Sequence, residues 1–108
     1  MKSQAAVDAL GALANAHRLA LFRLLVQTGP EGKPAGAIAE ALKLPASSLS
    51  FHLAHLRRAG LIVQRRQSRS LIYSADFEAM NGLVGFLTDN CCGGRACAPA
   101  QQKRRKAS

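Results

Sequence analysis

The only three cysteines of this 108-residue chain crowd into one run, Cys91-Cys92-Gly93-Gly94-Arg95-Ala96-Cys97. Two glycines between the pair and the third sulfur let the backbone fold back, so that three thiolates can converge on one soft, three-coordinate centre. Trivalent arsenic or antimony suits such a pyramid of sulfurs, whereas structural zinc commonly takes four ligands, and no fourth group stands nearby. Arg95 favours the thiolate forms, while the C-terminus of a preceding helix opposes them. Redox sensing through a disulfide involving Cys97 and cysteines without a role both stay open. A small thiol-dependent reductase fits worst: neither Cys-x-x-Cys nor a cysteine followed by five residues and an arginine occurs. The histidines, His17, His52 and His55, lie far away in sequence.

The elements that must carry this segment follow from periodicity. Ala5 to Ala14 has Ala6, Leu10 and Leu13 at helical spacing, with few polar residues to mark a wet face. Asn15 suits the N-cap of a second helix, Ala16 to Gln27, in which Leu21, Phe22, Leu24 and Leu25 form an apolar face while Arg18 and Arg23 point elsewhere. Thr28-Gly29-Pro30 ends it, and Glu31 to Lys33 read as a polar loop. Ala35 to Leu42 is a short helix, stopped before Pro45 because proline disfavours helical geometry at Leu44. A longer helix, Ser47 to Ala59, carries Leu49, Leu53 and Leu56 as one buried stripe, and Gly60 stops it. Leu61 to Arg65 and Ser70 to Ser74 read as paired strands, with Leu61 and Val63 alternating on one and Leu71 and Tyr73 on the other, joined through Arg66-Gln67-Ser68-Arg69. The last helix begins at Ala75-Asp76, with Asp76 as a cap, and presents Phe77, Met80, Val84 and Leu87, broadened by Leu83 and Phe86.

Charge then points to a partner. Lysine and arginine number 15 against 6 acidic residues, a net charge of +9, which favours a polyanion. Between Glu40 and Asp76 the charged residues are Lys43, Arg57, Arg58, Arg65, Arg66 and Arg69, with no acid among them. The longer helix sets Ser47, Ser48, Phe51, His52, His55 and Arg58 opposite its leucine stripe, with Ser50 at the edge. Helix, tight turn and helix with such a face is the geometry that sets side chains against base edges in a major groove. Arg66 and Arg69 at the hairpin tip then make a wing that reaches a phosphate or a minor groove. An ordinary amphipathic hairpin with a wet face is the bland alternative. The basic run Lys103 to Lys106 is either solvated or in contact with DNA.

The fold class expected is mainly α with a two-stranded β-hairpin, a winged helix-turn-helix. Apolar helices at both ends, with Val7 and Leu10 on one and Met80, Leu83, Val84 and Leu87 on the other, suggest a shared layer in a homodimer. Residues 1–90 would form the DNA-binding and dimerisation domain, and residues 91–108 a cysteine-containing inducer segment with a basic tail. No apolar run approaches the roughly 18 residues that a membrane span requires. The expected location is the cytoplasm, a reducing compartment in which an odd number of cysteines does not make a disulfide framework.

At this point the chain resembles the ArsR/SmtB family of metal-responsive repressors over about Val7 to Asn90. The matching text is Leu13-Ala14-Asn15-Ala16-His17-Arg18-Leu19, then Ser50-Phe51-His52-Leu53 with Leu56-Arg57-Arg58-Ala59-Gly60-Leu61, then Arg69 and Tyr73. The resemblance implies a homodimer through the first and last helices that binds double-stranded operator DNA and releases it when a metal or metalloid binds. Two inducer sites used in that family are absent: Ile38 to Leu42 contains no cysteine, and the last helix, though it starts at Asp76, has no histidine. Ser68 stands where a wing glycine is common. Cys91, Cys92 and Cys97 remain as the expected site for trivalent arsenic or antimony, with thiol redox or another soft metal as the alternative inducer.

Overall fold

A computed structural model describes residues 1–95 of the chain. Its first corner is built by capping. Helix α1 (Ser3–Leu13) meets α2 (Ala16–Thr28) at a bend of 104°. Asn15 Oδ1 accepts the backbone N–H groups of His17 and Arg18, both at 3.0 Å, so two orphan donors of α2 are satisfied. From the other side, Arg18 Nε donates at 2.7 Å to the carbonyl of Ala12 near the end of α1. A cation is favourable at a helix C-terminus, so one arginine joins the two helices. Sequence placed Arg18 away from the apolar face, yet it is buried; the free carbonyl of Ala12 is what makes that burial tolerable.

Helix α1 turns Ala6, Ala9 and Ala12 inward, and their small size lets it lie close to the core. Its larger residues, Val7 and Leu10, stay exposed. After α3 (Ala35–Leu42), Lys43 takes a left-handed conformation and the N–H of Leu44 returns to the carbonyl of Ala39 at 3.0 Å. Pro45 follows at extended angles and opens α4 (Ala46–Arg58) without a side-chain cap. Leu49, Leu53 and Leu56 are buried as the spacing requires, in one cluster with Leu21, Leu25 and Ile38. Helix α4 packs against α1, α2 and α3.

Strands β2 (Ile62–Gln67) and β3 (Ser70–Ala75) pair antiparallel with Gln67 opposite Ser70. The turn is therefore the two residues Ser68-Arg69, shorter than the four expected, and Ser68 holds φ +56°, the conformation that glycine adopts more readily. Alternation along β2 also runs differently: Ile62 is buried and Val63 is exposed. Leu61 precedes the strand, receives Asp76 N–H at its carbonyl and gives its own N–H to Leu56, so it fills the corner and lies outside the pleat.

The expected two-stranded hairpin is a three-stranded sheet, order β1-β3-β2. Strand β1 (Lys33–Pro34) sets Lys33 opposite Tyr73 and Pro34 opposite Ile72, where a polar loop had been expected. Arg65 Nη2, from the far strand, donates at 2.7 Å to the carbonyl of Glu31 and ties down the same loop. Helix α5 (Phe77–Leu87) starts where expected, with Asp76 accepting from the N–H of Ala79 at 3.0 Å. It packs beside α1. Among the described residues no single helix is long and apolar enough to cross a membrane.

Strand β1 depends on Gly32. At φ +72°, a Cβ there would stand 2.5 Å from the carbonyl oxygen of Tyr73. Gly32→Ala is therefore expected to destabilise the fold by about 1–3 kcal/mol, read as a lower urea midpoint, with faster amide exchange at Lys33. An unchanged midpoint would mean that β1 contributes nothing to the domain.

Candidate nucleic-acid interface

Helix α4 has one face committed to the core, so its other face decides what it can touch. Ser47, Ser50, Phe51, Arg57 and Arg58 are exposed, while Ser48 and His55 are half-buried. Of these, Arg57 counts among the cations of the acid-free stretch but was not expected on the DNA-facing side, although its position in the last turn, one residue before Arg58, was a usable signal. Arg66 and Arg69 are exposed on the hairpin. Arg65 is also exposed, but its guanidinium is engaged by Glu31 and, at 3.4 Å, by Gln67 Oε1. The wing therefore offers Arg66 and Arg69 to a partner, and Arg65 holds the wing's base.

His52 departs from expectation. It is 9% exposed, turned inward beside the leucine stripe and away from the open face. The reason is angular: one residue before Leu53 and three after Leu49, it stands on the flank of the buried arc, and α2 covers that flank. Its ring lies 5.6 Å from that of His17 and 5.6 Å from that of Phe51, the latter edge to face. His55 completes the group at 6.3 Å from Phe51.

These histidines share a positive neighbourhood. Burial first, then the charges of Arg18, His17 and His55, holds His52 below the ordinary histidine value of 6.5. Loss of solvation, then Arg18 and Arg58, does the same for His55. The Nδ1 atoms of both are buried without a hydrogen-bond partner among the described residues. A neutral ring protonated at Nε2 leaves only a lone pair there, which is less costly to bury than a donor. Both histidines are thus neutral supports of α4, and the positive charge of the face comes from arginine.

The cysteine segment follows α5 directly. Thr88 Oγ1 donates at 2.9 Å to the carbonyl of Val84 and closes the helix. Cys91–Gly94 then turn tightly with a kink at Cys92 and Gly93, which take left-handed angles, φ +58° and +64°. The Sγ atoms of Cys91 and Cys92 lie 3.5 Å apart, and both residues are exposed. Cys97 and the basic run Lys103 to Lys106 lie outside the described residues. Among the described residues no three His, Cys, Asp or Glu side chains are grouped to hold a metal ion. Of the residues expected at a dimer interface, Val7, Leu10, Val84 and Leu87 are 57, 43, 55 and 58% exposed. Met80 is partly buried and packed on the core, and Leu83, 7% exposed, belongs to the chain's own core because α5 rolls that side onto the domain.

A pH dependence follows from the two depressed histidines. The unfolded chain takes up their protons at the ordinary value, before the folded chain does, so their contribution to stability is complete above 6.5 and is lost as pH falls below it. Urea midpoints measured from about pH 7.5 down to about pH 5 should fall, and His52→Gln with His55→Gln should flatten that fall. An equally steep fall in the double variant would assign the linkage to other groups.

Comparison with known proteins agrees with this geometry. A helix-turn-helix domain profile matches residues 13–65. The HTH-type transcriptional regulator YgaV of Escherichia coli (strain K12) is 34% identical over 91 residues, 82% of this chain and 92% of that protein. The structure of HlyU from Vibrio cholerae superposes with a TM-score of 0.63 at 33% identity, covering 81% of this chain and 97% of that one. The homodimeric winged helix-turn-helix DNA-binding domain of a possible ArsR-family regulator from Mycobacterium bovis gives a TM-score of 0.64 at 26% identity, covering 88% of each chain. These relatives are regulators of transcription, and the reading as a thiol reductase falls away. The chain belongs to the ArsR family of winged helix-turn-helix transcriptional regulators.

Proposed function

We propose that the protein is a cytoplasmic, homodimeric repressor that holds double-stranded operator DNA and releases it when trivalent arsenic or antimony binds at Cys91, Cys92 and Cys97. The observation that carries the DNA-binding half is the acid-free stretch between Glu40 and Asp76, which presents Ser47, Ser50, Arg57 and Arg58 on α4 and Arg66 and Arg69 on the wing. Cations positioned on phosphates supply affinity, and side chains on α4 supply discrimination among bases. His52, being buried, positions α4 in this reading, Ser48 and His55 reach the groove from the margin of the face, and Ser47 and Ser50 stand at its open part.

Assembly follows from α1 and α5, which pack side by side and leave Val7, Leu10, Val84 and Leu87 exposed. Joining two chains there removes these residues from water and holds two α4 helices for two half-sites. Leu10→Glu with Val84→Glu should give folded monomers, seen by sedimentation, that bind DNA weakly. Folded monomers with undiminished affinity would exclude this assembly.

The inducer half rests on sulfur geometry. With metal–thiolate bonds of about 2.3 Å, two sulfurs on one centre stand at most about 4.6 Å apart, and Cys91 and Cys92 meet this at 3.5 Å. Cys97, the third ligand in this reading, follows in sequence after Gly93, Gly94, Arg95 and Ala96. Binding at the end of α5 would re-seat a helix of the dimer layer and change the spacing of the two α4 helices. Adding trivalent arsenic to the protein–DNA complex should then lower DNA affinity by about 5- to 150-fold, and Cys91→Ser or Cys92→Ser should abolish the response without weakening DNA binding. Release by peroxide with no response to arsenic would favour a thiol redox sensor, and release that persists in the triple serine variant would place the sensor elsewhere.

A further inference from the structure

Phe51 is the large apolar side chain that α4 leaves in water: it is 60% exposed, and no other large hydrophobic residue of that helix is exposed among the described residues. It lies in the second turn of the helix, between Ser47 one turn earlier and His55 one turn later, with Arg57 and Arg58 beyond them. The face around it is polar and cationic, so it does not belong to a continuous apolar patch of the kind that docks a protein. Its ring is held in place by edge contacts to His52 and His55 at 5.6 and 6.3 Å, which restrict its rotamers before anything binds.

A phenyl ring can neither donate nor accept the hydrogen bonds that distinguish most base edges. In the major groove the apolar feature is the C5-methyl of a pyrimidine, and phenylalanine is among the side chains that contact it. The first turns of a recognition helix are those that reach base edges. We propose that Phe51 is a specificity-determining residue that reads the C5-methyl group of thymine at one base pair of each half-site, a role that rests on α4 being the DNA-facing helix. His52 and His55 are then the positioning residues of a methyl-reading ring.

The test uses duplexes selected from random DNA by the wild-type protein, with each thymine replaced singly by uracil so that only the methyl is lost. Loss of the one methyl read in a single half-site should weaken wild-type binding about fourfold, the equivalent of about 0.8 kcal/mol for one methyl-sized group. Phe51→Ala should bind thymine and uracil duplexes equally, at the lower level. At the same position, 5-methylcytosine should bind better than cytosine, because the methyl is shared by both pyrimidines; no gain there, with thymine and uracil also equal, overturns the proposal. It is overturned as well by a uracil scan without effect on the wild type, or by a Phe51→Ala variant that still distinguishes thymine from uracil. Arg58→Ala separates this from the underlying reading: weakened binding to every duplex upholds α4 as the DNA-facing helix whatever Phe51 does. Undiminished binding in both Arg58→Ala and Phe51→Ala overturns that reading and the proposal with it.

Discussion

Everything else in the domain answers to the requirement that α4 be half core and half exposed. Leu49, Leu53 and Leu56 are at most 4% exposed, and burying such side chains contributes about 1.5–3 kcal/mol each. That stripe fixes the rotation of the helix about its axis. With the rotation set, Phe51 and Arg58 must point outward, and His52 must not. A shift of the stripe by one position would turn the whole outer face by about 100°, so the face proposed to meet DNA is aimed by residues of the core. The α3 helix, the Lys43 turn and the Leu61 corner all serve to keep the stripe seated.

A second constraint acts at the flank of α4. Arg18 is buried between the end of α1, where it meets the carbonyl of Ala12, and the histidines of α4. A charge placed there is tolerable because α1 supplies an oxygen at 2.7 Å, and it adds to the burial that holds His52 and His55 below the ordinary histidine value. The helix with exposed Val7 and Leu10 thus shares one short chain of contacts with the helix that faces outward at Phe51 and Arg58. Arg18 and the packed imidazoles are what lies between α1 and α4 at this flank. Helix α5 lies against the same α1 and ends shortly before the cysteine pair.

The wing illustrates how a local rule and a distant contact divide the work. Arg65 and Arg66 are neighbours on β2 and Arg69 lies in the turn, yet Arg65 is bound to Glu31 while Arg66 and Arg69 are open. Nothing in the run Arg65-Arg66 says which of the two is structural. The distinction comes from Gly32, whose missing side chain lets the Glu31 loop approach β3 closely enough to form β1 and to bring its carbonyl within reach of Arg65.

What the sequence determined by itself were features that neighbours along the chain encode. Asn15 and Asp76 cap the helices that follow them, Pro45 separates α3 from α4, and the leucine spacing of α4 predicts its buried side, because capping and helical periodicity act over a few residues. The helix order, the arginine-bearing hairpin and the family resemblance were legible for the same reason. Tertiary structure alone decided the rest. His52 became a buried support because α2 covers its flank, Leu83 became core because α5 rolls onto the domain, Arg18 went inside because a helix end offered it an oxygen, and Lys33–Pro34 became a strand because Tyr73 and Ile72 stood opposite. Arg18 meets its oxygen only because the corner between α1 and α2 brings Ala12 to it, the others turn on partners far away in sequence, and periodicity identifies which side of an element is apolar without saying what will stand beside its margins.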